Sequence, residues 1–183
     1  MKTLKTIQTL AKIGRVFSKV IFILCLVGAI GCAAGIISLA VIPESIKIGG
    51  VTIHGLIELE SGIGMGTAYT AMVQGIILCA GEAVLSKLAE LYFKRELEAG
   101  TPFTLDGAKE LMRLGICAIA IPIGTNIIAG IAHAIMSAFF SGVGDTYSGS
   151  VSVGIGIMFI VMSLFCRYGA QLESGDIQAD EAE

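Results

Sequence analysis

Four long apolar runs leave this chain little choice of surroundings. They cover residues 16–42, about 67–88, about 114–140 and about 148–168. A bilayer hydrocarbon core of about 30 Å needs about 20 helical residues to cross it. All four runs reach that length, and the first and third exceed it, so tilts or kinks are expected there. Inside lipid the backbone finds no water, which leaves only helices or closed barrels as spanning structures. The alternation in SVSVGIGIMF (residues 150–159) looks strand-like. An isolated strand would leave its backbone unbonded in lipid, so the fourth run also reads as a helix.

Composition agrees. Of 183 residues, 55% are hydrophobic and 15% charged, too little charge to cover a water-soluble surface of this size. Twenty-four glycines fit the same class, because glycine is commoner in membrane helices than in soluble ones. The fold class predicted is an all-α membrane protein: one four-helix transmembrane domain over residues 1–172, then an acidic tail, 173–183, read as disordered. The lysine-rich start looks like a secretory signal, but the apolar run continues to Ile42 and no clear small-x-small site ends a short core. AIGC (residues 29–32) is a poor lipoprotein box, with Ala29 where leucine is usual, so a retained helix is expected.

Threading follows from the cations. Lys2, Lys5, Lys12, Arg15 and Lys19 precede the first run. Lys87, Lys94, Arg95, Lys109 and Arg113 lie around the second-to-third connection, and Arg167 closes the fourth run. Lys47 alone lies on the other side. The positive-inside rule then puts both termini in the cytoplasm of a multi-pass cell-membrane protein. Residues 43–66 and 141–147 face outward. The alternation around Gly49-Gly50 reads as a small extracytoplasmic β-hairpin. His54 and Glu58 in that loop, and Asp145 in the other, read as polar loop residues rather than ligands. Cys25, Cys32, Cys79, Cys117 and Cys166 all lie in apolar runs without a CxxC pair, so they read as small packing residues. No metal or cofactor is expected. Gly28 and the Gly31-x-x-x-Gly35 motif would permit close helix contact and leave a homo-oligomer open.

The second run does not stop at the membrane. Residues 67–98 would make about 48 Å of helix, so a part projects as one arm of a cytoplasmic helical hairpin, residues 89–113. Leu85, Leu88 and Tyr92 share a face, and Glu90 with Lys94 form an i,i+4 pair. Gly100 ends the first arm as a left-handed residue and Pro102 blocks continuation. Thr104 caps the next helix, and Asp106 meets its positive end. Acidic residues balance the basic ones. The hairpin therefore lacks the cationic surplus that direct nucleic-acid binding needs. It reads as a membrane collar and a candidate protein-partner surface, with the bilayer itself the other partner.

The phrases ELEAGTPFTLDGAKELMRLG (residues 96–115) and FCRYGAQLESG (165–175) resemble a family of small four-helix bacterial membrane proteins catalogued as a domain of unknown function. The resemblance rests on a G-x-P-F-T turn, here Gly100, Pro102, Phe103 and Thr104. It extends to Leu111, Arg113 and Gly115, and to Gly169, Leu172 and Asp176 in the exit segment. It covers the second half of the chain and reaches the first only through topology. It implies a bacterial inner-membrane protein, often encoded beside a small Cro/CI-like regulator, and supplies no catalytic residues.

Polar groups at membrane depth are the default functional candidates. They are Gln74 and Glu82 in the second run, and Thr125, Asn126, His133 and Ser137 in the third. Gln74 and Asn126 both fall near mid-bilayer and are expected to meet across the two helices. Pro122 leaves the Ala118 carbonyl without its usual donor and is a candidate hinge. Glu82, about 9 Å from Leu88 along the helix, is expected to snorkel or to pair with Lys87 or a base of the third helix. No GxSxG, HExxH or P-loop occurs. The reading favoured is a non-enzymatic accessory, sensory or regulatory membrane protein. The alternative is a transporter or channel subunit for a small solute or ion, with a polar path at Gln74, Asn126 and His133.

Overall fold

The structure is a computed structural model describing residues 2–41, 46–48, 51–53, 64–100, 104–140, 143–144 and 153–180. Four helices carry the fold: α1 (Lys2–Val41), α2 (Met65–Ala99), α3 (Leu105–Phe139) and α4 (Val153–Asp180). Each is long and apolar enough to cross a membrane. Between α1 and α2, β1 (Ile46–Ile48) and β2 (Val51–Ile53) pair antiparallel with Ile46 opposite Ile53 and Ile48 opposite Val51. His54, Glu58, Pro102, Phe103 and Asp145 lie outside the described residues.

Burial runs opposite to that of a water-soluble bundle. Among the described residues seven of the twelve buried apolar ones are alanines, and the buried polar set is Ser18, Thr70, Gln74, Ser86 and Ser163. Large side chains point outward on every helix, with Ile30 68%, Phe139 81% and Phe165 66% exposed. Water would penalise that much apolar surface, whereas lipid tails solvate it. Small residues inside allow the backbones to approach, since membrane helices associate by packing rather than by hiding apolar area. Ser18, Thr70 and Ser163 bond back to carbonyls of their own helix, as in Thr70 Oγ1 to Gly66 O at 2.7 Å and Ser18 Oγ to Gly14 O at 2.8 Å.

Two compact units make up the chain: Met1–Ile23 with Ala83–Pro122 and Val151–Glu183, and Leu24–Glu82 with Ile123–Ser150. The first has a core of Tyr92, Ala108, Leu111, Leu114 and Cys166, flanked by Leu85, Leu88, Ala89, Phe93 and Phe159. Here α3 and α4 cross at a pair of glycines. A Cβ on Gly115 would lie 2.9 Å from the Gly156 carbonyl oxygen, and one on Gly156 would lie 2.9 Å from that of Gly115. Neither position has room for a side chain. Gly14 of α1 lies under the Phe93 ring in the same way. In the second unit, α1 and α2 meet where the Cys79 and Cys32 sulfurs sit against Gly28 and Gly75. All five cysteines are free.

Two expectations change, and the first helix proves longer than its apolar run. Gly31 faces open space, so in this chain the contact falls on Gly28 and not on the motif's first glycine. The helix of α1 starts at Lys2, so the basic segment before the apolar run is helical too. The backbone of α4 stays helical to Asp180, through residues 173–180 that read as tail. No proline interrupts that stretch, and Gln178 and Ala179 are good helix formers.

Candidate functional site

The reversal between α2 and α3 follows local rules closely. Gly100 has φ +75°, a conformation that a Cβ would strain. Its N–H donates to Glu96 O at 3.1 Å, the single bond of a left-handed helix stop. Thr104 Oγ1 accepts from the Gly107 N–H at 3.0 Å, and its carbonyl accepts from Ala108 N at 2.9 Å, so it is the N-cap of α3. Asp106 lies in the first turn of α3. Gln8 of α1 adds a bond that sequence reading missed: its Nε2 donates to Gly100 O at 3.3 Å. A glutamine in a basic helix carries no sequence signal for that contact.

The charged side chains of the hairpin are largely paired. Lys87 bonds Glu90 at 2.8 Å, Lys94 lies 3.8 Å from Glu98, and Lys109 lies 3.4 Å from Asp106. Arg95 and Glu110 form an ion pair across α2 and α3. Two expected pairs are therefore replaced. Glu90 pairs with Lys87 rather than Lys94, and Lys87 is taken by Glu90 rather than Glu82. Lys87 and Glu90 are three residues apart on one helix face, whereas Lys87 and Glu82 are five apart and diverge. The Lys87 bond, with the nearby Lys19 and Arg15 charges, holds the Glu90 carboxyl below its usual range against an opposing effect of burial. Lys87 Nζ also sits 5.4 Å from the Phe22 ring centroid, a cation–π contact.

Two clefts flank the Arg95–Glu110 pair. One, of about 170 Å³, is lined by Tyr92, Arg95, Glu96, Ala99, Asp106 and Glu110, among others. The other, of about 300 Å³, is lined by Leu88, Leu91, Tyr92, Arg95, Glu110, Arg113, Leu114 and Cys117. Tyr92 borders both. Glu96 follows one turn along α2 and lines the smaller cleft with it. Burial raises the Glu96 carboxyl above its ordinary range, and its interaction with Tyr92 only partly offsets this. Burial and then the Glu96 charge push the Tyr92 hydroxyl up as well. The i,i+4 spacing of Tyr92 and Glu96 was the available sequence signal for this pair.

The polar residues of the second unit divide. Gln74 is buried, and its Nε2 donates to the Ala129 carbonyl at 3.3 Å. The side chain thus crosses from α2 to α3, but to backbone rather than to Asn126, three residues before Ala129. Gln74 Oε1 is buried, with no donor within reach among the described residues. Thr125 packs its methyl against Gly81 of α2. His133 turns to the helix end instead, with Nε2 3.5 Å from Gly144 O. Gly144 N in turn donates to Thr67 Oγ1 at 3.0 Å, and Tyr69 stacks on Phe140 with centroids 5.9 Å apart. His133 therefore helps to pin the segment after α3, and the Gln74 bond lies a turn away from it. Ser137 bonds back to His133 O at 2.9 Å. Glu82 is exposed within the apolar stretch of α2. Pro122 lies inside α3, which runs on unbroken to Phe139. Among the described residues no group of His, Cys, Asp and Glu is arranged to hold a metal ion.

No protein-family profile, curated protein or solved structure matches this chain.

Proposed function

We propose that this chain is a non-enzymatic accessory, sensory or regulatory protein of a bacterial cytoplasmic membrane. Both termini and the α2–α3 hairpin face the cytoplasm, and the β1–β2 ribbon faces outward. The eleven-to-one distribution of Lys and Arg supports that orientation. The resemblance of the G-x-P-F-T turn to a family of small bacterial membrane proteins forms part of the same proposal.

The observation that carries the role is the hairpin itself. Its turn is fixed by a helix stop, a cap and the Gln8 bond, and two clefts open on its arms. The apolar stretches, by contrast, are packed with alanine and glycine. A cleft-bearing hairpin on helices packed with small residues suits signalling to a partner better than passage of a solute. Site-specific photocrosslinkers at Leu91, Lys94 and Asp106 should trap one partner protein in cells. Unchanged crosslinking and unchanged phenotype after substitution across residues 90–109 would remove the regulatory-surface reading. Reporter fusions at both ends test the orientation separately.

The rival reading is a transporter or channel subunit with a polar path at Gln74, Asn126 and His133. One observation favours it: the unbonded Gln74 Oε1 inside the second unit. Solute flux through reconstituted vesicles that stops on Gln74→Leu would establish it.

A further inference from the structure

The larger cleft of the hairpin has two unlike ends. Leu88, Leu91, Leu114 and Cys117 make one end apolar, and Arg95, Arg113, Tyr92 and Glu110 make the other polar. Leu88 closes the second apolar run and Leu114 opens the third. On the membrane reading above, on which this inference rests, the apolar end opens towards acyl chains and the polar end towards headgroups. Among the described cations of the hairpin one is left over. Arg95 is matched by Glu110 across the cleft, and the remaining hairpin lysines have their own carboxylates. Among the described residues Arg113 has no carboxylate partner, and it is exposed on the cleft wall. The net cation of the cleft is therefore Arg113.

We propose that this cleft holds one anionic phospholipid, its phosphate on Arg113 and the start of one acyl chain along Leu88, Leu91, Leu114 and Cys117. Guanidinium is suited to this task because its fork of donors matches phosphate oxygens and it stays charged at any relevant pH. A cleft of about 300 Å³ lies at the low end of ordinary ligand sites and takes the phosphate and neighbouring atoms rather than a whole lipid. Glu110 opposes an anion, but its charge is engaged by Arg95. A zwitterionic lipid would bring its own cation beside Arg113, so the site selects a net negative headgroup.

The test uses the full chain in nanodiscs of phosphatidylcholine with phosphatidylglycerol. The protein is then released into detergent, and retained lipid is counted by native mass spectrometry. Wild type should keep one phosphatidylglycerol. Arg113→Gln should lower its retention about tenfold, the weight of one charge-assisted hydrogen bond. Arg113→Lys should recover part of it. Arg167→Gln, the control cation outside the cleft, should stay near wild type. Equal losses from Arg113→Gln and Arg167→Gln would overturn the site in favour of general surface attraction. Competition by glycerol 3-phosphate as strong as by the lipid would overturn it in favour of a soluble phosphate. A dimer lost on Arg113→Gln would overturn it in favour of a second copy. Alkaline carbonate extraction tests the membrane reading itself: a chain that washes off membranes refutes that reading, whereas an embedded chain with no retained lipid refutes only the site.

Discussion

Replacing Gln74 by leucine should leave the protein equally stable or make it more so, contrary to the usual fate of a buried polar residue. Gln74 is 6% exposed, and its one described bond, to Ala129 O, is 3.3 Å long. That length lies past the usual N–H···O range, so the bond is weak. Interhelical hydrogen bonds in membranes average about 0.6 kcal/mol, which bounds what the leucine loses. On the other side stands Oε1, buried without a donor. An unsatisfied buried acceptor costs about 1–3 kcal/mol, and leucine removes that cost at similar volume. The balance favours Gln74→Leu by about 1 kcal/mol. The measurement is reversible unfolding in mixed micelles or bicelles, with Gln74→Ala as the control for an empty space. A loss above about 1 kcal/mol in the leucine variant would refute the reasoning, because Oε1 must then be bonded in the working protein. It would also move the weight towards the solute-path reading, since a bonded Oε1 at that depth implies a donor brought by water or solute.

Two further outcomes concern the hairpin. Thr104→Ala should cost about 1 kcal/mol through the lost Gly107 cap, with Thr104→Ser close to wild type, read from the same unfolding curves. Equal losses for both would mean that the threonine methyl, not its hydroxyl, carries the effect. Glu96→Gln addresses pH. Because burial raises the Glu96 carboxyl, the folded protein holds that proton more tightly than the unfolded chain. Its contribution is full below the ordinary glutamate range and fades as pH rises through the raised value. Glu96→Gln should therefore gain on wild type as pH increases from about 4 to about 7. A difference independent of pH would show that Glu96 is not protonated more readily in the fold.

How far the sequence could be read depended on the range of the interaction. Gly100, Thr104 and Asp106 act within four residues of themselves, so their roles as stop, cap and dipole partner were legible. Each is the shortest solution to unpaired backbone at a helix end. The small-inside, large-outside pattern was implicit in the composition, because a chain this apolar must send its large side chains to lipid. Contacts between helices were less accessible. The depth of Gln74 was readable from a residue count, but its partner depends on rotation about two helix axes, which leaves Ala129 O and Asn126 equally eligible. The Gly115–Gly156 crossing and the Gly14–Phe93 contact depend on register between elements in the same way. A glycine-rich chain offers many such pairs, and the first motif in reach, Gly31-x-x-x-Gly35, proved to begin with a residue facing open space.

Charge pairing shows a different limit, and it bears on function. Lys87 was a candidate partner for Glu82 and Lys94 for Glu90, yet each lysine takes another carboxylate at three or four residues' spacing on its own helix. Local pairs form because they ask least of the long side chains, and each contributes only about 0.2–0.5 kcal/mol. Their consequence lies in what they leave over. Once Lys87, Lys94, Arg95 and Lys109 are matched, Arg113 remains, among the described residues, as the unmatched cation of the hairpin, on the wall of a cleft with an apolar end. Glu82 remains as an exposed carboxylate within an apolar stretch. Neither is conspicuous in a list of charged residues. Both emerge only when the pairs are assigned, so on this hairpin the residues without local partners, rather than the dense charge run as a whole, are where recognition should be sought.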